Sequence, residues 1–317
     1  MKTVVTGGAG FIGSHLVDEL VNRDHRVTII DDLSSGKESN IARHLKEGKA
    51  TLIIDSVTSL SRLESAFSGA KYVFHLAAIA SVPKSLTDPR LTHEVNATGT
   101  LNVLLAARRS KVKKVVFASS AAVYGDTGEA PQHEDILPNP KSPYAVSKLA
   151  GEYYCTVFSQ AYDLPTAVLR YYNVYGPRQD PNSEYSGVIS KFLTSVLKNK
   201  PPEIFGDGEA TRDFTFVKDA VRASLLAAES DANGVFNIGT GEKSSINDLA
   251  KLIIRLGGKK MKLAYRKPRS GDIRHSLADI SRAAGFGYQP EYRFEEGLRE
   301  TIEALTARET AGLQLGN

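Results

Sequence analysis

A glycine-rich segment near the amino terminus constrains the fold of this chain more than any other feature. Residues 3–6 form a short β-branched run, residues 7–13 follow as a glycine loop, and residues 14–22 have the apolar spacing of a helix. The glycines match the pattern G-x-G-x-x-G, in which they allow a tight turn and let backbone N–H groups approach a diphosphate at the start of the helix. The sequence therefore predicts a strand, a loop and a helix that together bind a dinucleotide.

The next strand indicates which dinucleotide this is. An apolar run at 26–30 ends in Asp31, about twenty residues after the glycine loop, where a carboxylate is expected to bind the adenosine ribose. Asp31 and Asp32 would repel a 2′-phosphate, and the glycine loop contains no arginine. The predicted cofactor is therefore NAD and not NADP.

Strands and helices alternate through the first half of the chain. Strand-like runs at 51–54, 72–76 and 114–118 are separated by helical patterns at 60–67 and 89–108. Such alternation is typical of a doubly wound parallel sheet, whose ligands lie outside the carboxyl ends of the strands. The residues at those ends are Asp55, Ala77, Ala78, Ser119 and Ser120. We therefore expect an α/β fold of the Rossmann type with its cofactor at this edge of the sheet.

Tyr144 and Lys148 lie four residues apart in a helical segment. Residues at that spacing share one helix face, so the ammonium is expected to lie beside the phenol, lower its pKa and prepare it to act as a base. Ser120, at the end of a strand that faces this helix, is expected to hydrogen-bond the substrate oxygen on which this base acts. The spacing alone also occurs on helices without a function, so the prediction depends on the dinucleotide-binding context.

The overall composition argues against several other classes of function. Lysine and arginine number 40 against 36 aspartate and glutamate residues, and no dense basic run points to nucleic acid or a membrane surface. Cys155 is the only cysteine, and no cysteine and histidine cluster has the spacing of a metal site. The amino terminus shows no signal-peptide pattern, and no apolar run reaches the length of a membrane span. We therefore expect a soluble cytoplasmic protein without a bound metal.

Taken together, the motifs resemble one known enzyme family. They are the glycine loop, Asp31, His75-Leu76-Ala77-Ala78, Ser119-Ser120, Val123-Tyr124-Gly125, Tyr144 with Lys148, and Arg170-Tyr171-Tyr172-Asn173. This set resembles the extended short-chain dehydrogenases/reductases and, within them, the UDP-hexose 4-epimerases. The resemblance covers roughly residues 1 to 305.

The resemblance implies three sets of site residues. The catalytic residues are Ser120, Tyr144 and Lys148. The NAD-binding residues are Gly7, Gly10, Phe11, Ile12, Gly13, Asp31, Asp32, Ser35, Gly36, Asp55, Ser56, Leu76, Ala77, Ala78, Asn96, Ser119, Tyr144, Lys148 and Tyr171. The residues that bind the sugar nucleotide are Ser81, Ser120, Ala121, Tyr144, Tyr172, Asn173, Gln179, Val188, Arg212, Arg269, Asp272 and Ser276.

Two arginines in the second half of the chain suit a substrate diphosphate. Arginine makes bidentate contacts with phosphate, so Arg212 and Arg269 are candidates to hold it, although a single arginine is more often part of a surface ion pair. The resemblance places both in a UDP site, with Asn173 near the diphosphate and Asp272 near the uridine ribose.

The resemblance also implies a domain division and an assembly. The expected domains are an NAD-binding Rossmann domain of residues 1–172, to which 212–240 return, and a smaller α/β UDP-sugar-binding domain of residues 173–211 and 241–317. A homodimer through the helices at 89–108 and 144–162 is common in the family, and the apolar stripe of Leu149, Tyr153 and Val157 favours it. If this stripe packs only on its own sheet, it gives no support to a dimer. Residues 306–317 are expected to be a frayed tail.

The favoured function is reversible, NAD-dependent 4-epimerisation of a UDP-hexose through a 4-keto intermediate. Tyr144 would take the proton of the sugar O4, Ser120 would hold that oxygen, and NAD⁺ would accept the hydride from C4. A sugar-nucleotide dehydratase or decarboxylase is an alternative, but related enzymes of those kinds carry acidic residues directly after the position of Ser120, where this chain has Ala121 and Ala122. A noncatalytic NAD-binding regulator on the same fold is a further alternative.

Ser276 bears on the choice of sugar. The resemblance aligns it with a position near the C2 substituent, where glucose-restricted epimerases usually carry tyrosine. A serine leaves room for an acetamido group, so we expect both UDP-GlcNAc/UDP-GalNAc and UDP-Glc/UDP-Gal to be used. UDP-glucuronate is the minor alternative, because Arg178 or Arg274 could meet its carboxylate.

Overall fold

The computed structural model describes residues 1–128, 130–180, 187–268 and 273–314, with side chains as far as Ala307. The strands are β1 (Lys2–Thr6), β2 (Arg26–Asp31), β3 (Ala50–Ile54), β4 (Tyr72–His75), β5 (Lys114–Ser120), β6 (Thr166–Tyr171), β7 (Glu203–Phe205), β8 (Thr211–Arg212), β9 (Gly234–Ile238), β10 (Ser244–Ser245), β11 (Ala264–Arg266) and β12 (His275–Ser276). The helices are α1 (Phe11–Asn22), α2 (Ala42–Lys46), α3 (Leu60–Phe67), α4 (Val82–Thr87), α5 (Pro89–His93), α6 (Gly99–Arg109), α7 (Pro143–Tyr162), α8 (Val188–Leu197), α9 (Val217–Glu229), α10 (Ile246–Leu256), α11 (Ser281–Ala284) and α12 (Phe294–Gln314). Within the described ranges, no helix combines the length and the apolar composition needed to cross a membrane.

Parallel strands form the central sheet in the order β3-β2-β1-β4-β5-β6-β9. The neighbouring Val4 and Val5 of β1 point to opposite faces, and both are fully buried, as expected for a parallel sheet covered on both sides. The strand order reverses between β1 and β4, so the loops that follow these two strands diverge and leave a crevice at the carboxyl edge. The predicted Rossmann sheet is confirmed.

Helices cover both faces of this sheet. On one face α1 and α9 contact each other, and their Leu16 and Leu225 lie in one apolar core. On the other face α3, α6 and α7 are neighbours, and Leu63, Leu104 and Phe158 lie in a second core. The sheet edge that carries the predicted site residues is therefore supported from both sides by apolar packing.

The remaining elements surround a separate apolar core. Short strands pair as β10-β8-β12 and as β11-β7, and α8, α10 and α12 contribute Phe192, Ile253 and Leu298 to the same cluster. The predicted domain division stays a prediction. Its proposed boundary between residues 211 and 212 lies within β8. Within residues 212–240, β9 is an edge strand of the large sheet, and α9 packs against strands of that sheet.

The carboxyl-terminal helix corrects one expectation. Residues 306–317 are predicted as a frayed tail, whereas α12 continues to Gln314. Leu298 is fully buried, and Ile302 and Leu305 pack on the same core, so this apolar face anchors the helix up to the expected boundary and the helix continues from there.

The predicted helix at 89–108 is also less regular than expected. Between α5 and α6 the structure has a π-helical turn at Glu94–Thr98. This turn contains Asn96, whose side chain is buried. An extra residue per turn changes which side chains face inward, and such turns often occur at functional sites.

Candidate active site

The glycine loop between β1 and α1 is closely packed against its surroundings. Gly7 has a φ of +73°, and a Cβ there would lie 2.6 Å from the Ala77 nitrogen. A Cβ at Gly13 would lie 2.1 Å from the Gly7 oxygen, so both positions require glycine. At Gly10 an added Cβ would meet a described atom within 4 Å only at the Gly7 oxygen, 3.2 Å away. The space above Gly10 is therefore open to a ligand.

The first turn of α1 offers hydrogen-bond donors to that space. Gly10 is the N-cap, and no side chain caps the helix. The first N–H groups of a helix have no acceptor within it, and the helix dipole adds partial positive charge at this end. Phe11, Ile12 and Gly13 therefore present main-chain donors that fit the diphosphate of a dinucleotide.

Asp31 links the glycine loop to the turn after β2. Its carboxylate accepts hydrogen bonds from the backbone nitrogens of Ala9, at 2.9 Å, and Leu33, at 2.9 Å. Burial raises the pKa of Asp31, and these two hydrogen bonds oppose that increase. The predicted residues Asp32, Ser35 and Gly36 lie in or beside the same turn, and a Cβ on Gly36 would approach Asp31 Oδ1 to 2.7 Å. The turn is thus shaped around this carboxylate.

Asn40 is a neighbouring residue that the sequence analysis missed. Its side-chain amide donates to the carbonyl oxygen of Ala9 at 2.9 Å, and the Lys37 nitrogen donates to the same oxygen at 3.0 Å. The glycine loop is therefore held from outside by the segment that follows β2. No motif marks this role, because an asparagine in a turn usually has a local partner.

The ends of β3 and β4 carry the next predicted residues. Asp55 accepts from the backbone nitrogen of Ser56 at 2.7 Å and pairs with Arg62 at 3.2 Å. Leu76, Ala77 and Ala78 follow β4 directly and are half-buried. They line the carboxyl edge beside the glycine loop, since the Leu76 nitrogen donates to the Thr6 oxygen at 3.0 Å.

Asn96 connects the loop after β4 to α7. Its Oδ1 accepts from the Ile79 nitrogen at 2.8 Å, and its Nδ2 donates to the Ile79 oxygen at 3.2 Å and to Ser147 Oγ at 3.0 Å. Ser147 in turn donates to the carbonyl oxygen of Tyr144 at 2.7 Å. The buried amide thus has a full set of partners and fixes the loop relative to the catalytic helix.

The predicted catalytic residues lie together. Ser142 caps α7 by accepting from the Ala145 nitrogen at 3.2 Å, which starts the helix immediately before Tyr144. The Tyr144 side chain lies beside Ser120, whose oxygen accepts from the Ala122 nitrogen at 3.2 Å. The Lys148 ammonium, one helical turn further on, donates to the carbonyl oxygen of Ala118 at 2.7 Å.

The electrostatics of this group correct one sequence expectation. The pKa of Tyr144 is raised by burial, and only the hydrogen bond with Ser120 opposes the increase. The predicted lowering of the phenol pKa by Lys148 is therefore not seen, because the ammonium is directed at the Ala118 oxygen. Burial also lowers the pKa of Lys148 to about 8, opposed by the negative charge of Glu152.

A buried ion pair beneath these residues was not predicted. Glu152 accepts a hydrogen bond from Ser119 Oγ at 2.5 Å and pairs with Arg170 Nη2 at 2.6 Å. Both charged side chains are almost fully buried, and the Arg170 guanidinium lies 4.6 Å from the centre of the Tyr124 ring. The spacing of Tyr144, Lys148 and Glu152, four residues each, is the sequence signal that could have found this pair.

Several predicted substrate residues meet at β8. Arg212 lies on that strand and is part-exposed, and Ser276 of β12 is its parallel partner. Asn173 is exposed, has a φ of +34°, and donates through Nδ2 to the Asp213 oxygen at 2.8 Å. Gln179 accepts from Ser190 of α8 at 2.8 Å, and Val188 is the first residue of that helix.

Other predicted residues are placed differently. The Tyr171 hydroxyl is hydrogen-bonded to Ser224 at 2.7 Å, and burial raises its pKa to about 12. The Tyr172 hydroxyl donates to Gln132 at 3.1 Å within a fully buried cluster. Both phenols thus have hydrogen-bond partners inside the protein, and the contacts of Tyr171 with NAD and of Tyr172 with the substrate stay predictions.

Four further positions were predicted to bind the substrate. Ser81 is buried, and its hydroxyl oxygen accepts from the Lys84 nitrogen at 3.0 Å to cap α4. Ala121 begins a short 3₁₀ turn directly after Ser120. Arg269 and Asp272 lie outside the described residues. Within the described ranges, no group of three or more histidine, cysteine, aspartate or glutamate side chains could hold a metal ion.

The sequence matches the family model described as "NAD dependent epimerase/dehydratase family" over residues 3–239. The UDP-glucose 4-epimerase of Mycolicibacterium smegmatis is 41% identical over 308 residues, which cover 96% of this chain and 98% of that protein.

Solved structures with the same fold include two relatives with bound sugar nucleotides. The UDP-N-acetylglucosamine 4-epimerase of Methanobrevibacter ruminantium, in complex with UDP-N-acetylmuramic acid, has a TM-score of 0.94 and 43% identity over 97% of this chain and 98% of that one. The UDP-glucose 4-epimerase of Thermotoga maritima, with UDP-glucose, has a TM-score of 0.93 and 41% identity over 98% of this chain and 100% of that one. The chain therefore belongs to the NAD-dependent epimerase/dehydratase family, and its cofactor is NAD.

Proposed function

We propose that this enzyme catalyses the reversible 4-epimerisation of a UDP-hexose through a 4-keto intermediate. The observation that carries the proposal is the placement of Tyr144 beside Ser120 at the carboxyl end of β5, with Lys148 one turn further along the helix. A sugar hydroxyl that reaches this edge of the sheet meets a base and a hydrogen-bond donor together. The similar proteins compared above are all 4-epimerases of UDP-glucose or UDP-N-acetylglucosamine.

Each catalytic residue has a distinct task in this proposal. Tyr144, as the phenolate, takes the proton from the sugar O4 and returns it after the keto sugar has presented its other face. Ser120 donates a hydrogen bond to the same oxygen. Lys148 supplies a positive charge for the phenolate only when its ammonium leaves the Ala118 oxygen, 2.7 Å away, and turns towards the phenol. Bound NAD supplies a reversible hydride acceptor for C4.

Elimination or decarboxylation is disfavoured at the residues after Ser120. Those reactions need an acid or a base beside the oxidised sugar, and Ala121 and Ala122 cannot transfer a proton. Both alanines are half-buried in the short turn that follows β5. This turn therefore favours an enzyme that only oxidises and reduces C4.

The small side chain of Ser276 supports a substrate range that includes N-acetylated sugars. Ser276 is buried beside Arg212 and is small, so an acetamido group at C2 has room that tyrosine would fill. We therefore propose that UDP-GlcNAc/UDP-GalNAc and UDP-Glc/UDP-Gal are both substrates.

UDP-glucuronate is the less favoured substrate. Arg178 donates to Asp18 at 2.6 Å, and Arg274 makes two hydrogen bonds to Asp207, at 3.0 Å and 2.8 Å. Both guanidinium groups already have a carboxylate partner, so a C6 carboxylate would have to displace it.

The test is to incubate the purified protein with each UDP-sugar separately, without added NAD or reductant. We expect the C4 epimers of UDP-glucose and UDP-N-acetylglucosamine to form, as followed by proton NMR. A dehydratase would instead release a 4-keto-6-deoxy sugar, and a decarboxylase would act only on UDP-glucuronate. If none of the three substrates gave its C4 epimer, the proposed function would be wrong.

We further propose a homodimer through α5, α6 and α7. Tyr153 is 58% exposed and Val157 is 50% exposed on α7, and Leu91 of α5 is 38% exposed, so an apolar face is left uncovered. Leu149, predicted to share this face, instead packs inward beside Val123. A monomer mass by light scattering at micromolar concentration would reject the dimer.

A further inference from the structure

A single buried carboxylate, Asp213, joins the segments that carry the predicted substrate residues. It follows β8 directly and is fully buried. Its Oδ1 accepts from the nitrogen and the hydroxyl of Thr240, at 2.8 Å and 2.7 Å. Its Oδ2 accepts from the nitrogens of Gly241, at 3.0 Å, and Ala278, at 3.3 Å. The loop after β9 and the segment after β12 are thus held by the same side chain.

The main chain of Asp213 holds two further positions. Its nitrogen donates to the Ser276 oxygen at 2.9 Å, and its oxygen accepts from Asn173 Nδ2 at 2.8 Å. Asn173 has a φ of +34°, a conformation that costs energy in a residue other than glycine and persists only where its surroundings hold it. Together with Arg212, the preceding residue, Asp213 therefore connects three of the residues predicted to bind the substrate.

The space around this carboxylate is made by a glycine. A Cβ on Gly239 would lie 2.6 Å from Asp213 Oδ2 and 2.6 Å from the Cβ of Ala278. No such contact can be accommodated without moving the carboxylate or the segment after β12. Gly239 therefore lets the end of the large sheet approach the short strands closely enough for Asp213 to join them.

The bonding of Asp213 fits a positioning role better than a charge-pairing role. Among the described residues, no lysine, arginine or histidine forms an ion pair with it, and backbone N–H groups are three of its four donors. Burial raises its pKa, and the hydrogen bonds from Thr240, Gly241 and Ala278 oppose the increase. An ionised carboxylate with this set of donors fixes the relative placement of three loops, which an apolar side chain could not do.

We propose that Asp213 is the positioning residue that holds Asn173, Arg212 and Ser276 in register to bind the uridine diphosphate part of the substrate. The proposal rests on the proposed function, because it takes these residues to be the nucleotide-sugar site. Asp213 itself touches neither the substrate nor NAD; it acts through the residues it holds.

The experiment measures binding of UDP, the probe, to the purified NAD-containing enzyme by isothermal titration calorimetry. In Asp213→Asn an amide NH₂ replaces one acceptor oxygen and faces main-chain donors. We expect the Kd for UDP to rise at least about ten-fold, because buried donors lose their acceptor and the site loses its register. The NAD content should stay that of wild type, and kcat/KM for the UDP-sugar should fall mainly through KM.

Two further variants approach the same contact from the other side. Gly239→Ala keeps the carboxylate group but adds a methyl group that must displace it or the segment after β12, so it should weaken UDP binding as Asp213→Asn does. Thr240→Val removes one of the four donors and should give a smaller rise in Kd. These variants also keep the proposal testable if Asp213→Asn fails to fold.

Asp219→Asn is the matched control. Asp219 is equally buried and accepts from the nitrogens of Glu291 and Tyr292, at 2.9 Å and 3.3 Å, and among the described residues it contacts none of the predicted site. We expect a lower Tm with a UDP Kd within about two-fold of wild type.

Two outcomes would overturn the proposal. If Asp213→Asn, or in its absence Gly239→Ala, lowers the Tm as Asp219→Asn does and still binds UDP like wild type, Asp213 is only structural. If wild-type enzyme itself does not bind UDP, the proposed function fails and the positioning role falls with it.

Discussion

Two regions of this enzyme are held together in different ways: the region predicted to bind NAD, here called the cofactor half, and the region predicted to bind the UDP-sugar, here called the substrate half. The glycine loop follows β1, and Asp31 and Ser120 are the last residues of β2 and β5. These strands have five to seven residues, and their apolar side chains are buried in two cores. The strands β8, β10 and β12 have two residues each, too few to fix their own position by apolar burial. Their placement depends on polar contacts to buried groups such as Asp213. Single polar substitutions should therefore disturb the placement of the site residues more in the substrate half than in the cofactor half. One exception is expected in the cofactor half, at the ion pair beneath Tyr144 and Lys148.

The largest expected effect is on chemistry in the cofactor half. Tyr144→Phe keeps the ring and its packing but removes the group that moves the O4 proton. Turnover should fall by at least ~10²-fold, the lower range for a general acid–base group, while NAD stays bound. Steady-state kinetics and the NAD content of the purified variant measure both results. Near-normal turnover would show that Tyr144 is not the base.

The exception to the comparison is the buried pair of Glu152 and Arg170. Glu152→Gln leaves the Arg170 charge buried without its partner, which should cost about 3–5 kcal/mol of unfolding free energy. The measurement is urea denaturation of the wild type and the variant. A cost below about 0.5 kcal/mol, typical of a surface substitution, would mean that the pair does not stabilise the cofactor half.

The same substitution has a pH signature. Lys148, with a pKa lowered to about 8, must be charged to stabilise the phenolate, so kcat/KM should fall as the pH rises through that value. The carboxylate of Glu152 raises the pKa of Lys148. Arg170, Cys155, Tyr124 and His75 are further titratable groups around Glu152 and Lys148. In Glu152→Gln the alkaline limb should therefore move to lower pH. The double variant Glu152→Leu/Arg170→Met should recover stability without restoring the limb, which separates the two effects.

An intermediate effect is expected at the sugar pocket. Ser276→Tyr fills the space beside Arg212. The value of kcat/KM for UDP-N-acetylglucosamine should therefore fall about 10–200-fold, which corresponds to about 1–3 kcal/mol of transition-state binding, while kcat/KM for UDP-glucose falls less. The comparison of kcat/KM on both sugars for the wild type and the variant decides the matter. Equal use of UDP-N-acetylglucosamine by the bulky variant would refute the volume argument.

The smallest expected effect concerns the buried hydroxyl of Tyr171 and its hydrogen bond with Ser224. Tyr171→Phe removes one buried hydrogen bond to Ser224, which keeps a second partner in the Ala220 oxygen at 2.7 Å. Stability should fall by about 1 kcal/mol, and NAD retention should not change, since the phenol points away from the cofactor edge. Loss of NAD on purification would show that the phenol does contact the cofactor.

The sequence was sufficient for the cofactor half because local patterns determine it. Strand ends follow from apolar runs, and the glycine pattern, Asp31, Ser120 and Tyr144 are read at fixed spacings from those ends. The helix α3 was predicted with the bounds that the structure shows.

Long-range polar contacts could not be read in the same way. Asn40, Glu152 and Asp213 act through partners as many as 65 residues away, as in the bond between Asp213 and Ala278. No local pattern encodes such a pairing, and the burial that gives it meaning appears only in the folded chain. For the same reason the resemblance that assigned Tyr171 and Tyr172 to the site gave no sign that each phenol has a buried partner, Ser224 and Gln132.

The central claim is that the hydrogen at C4 leaves and returns as a hydride without exchange with water. Conversion of UDP-glucose in D₂O, followed by proton NMR and mass spectrometry of the products, tests it directly. We expect UDP-galactose to form with no deuterium at C4 and with the NAD content of the enzyme unchanged. Deuterium incorporated at any ring carbon would show that a C–H bond is broken by proton transfer, and the proposed mechanism would be wrong.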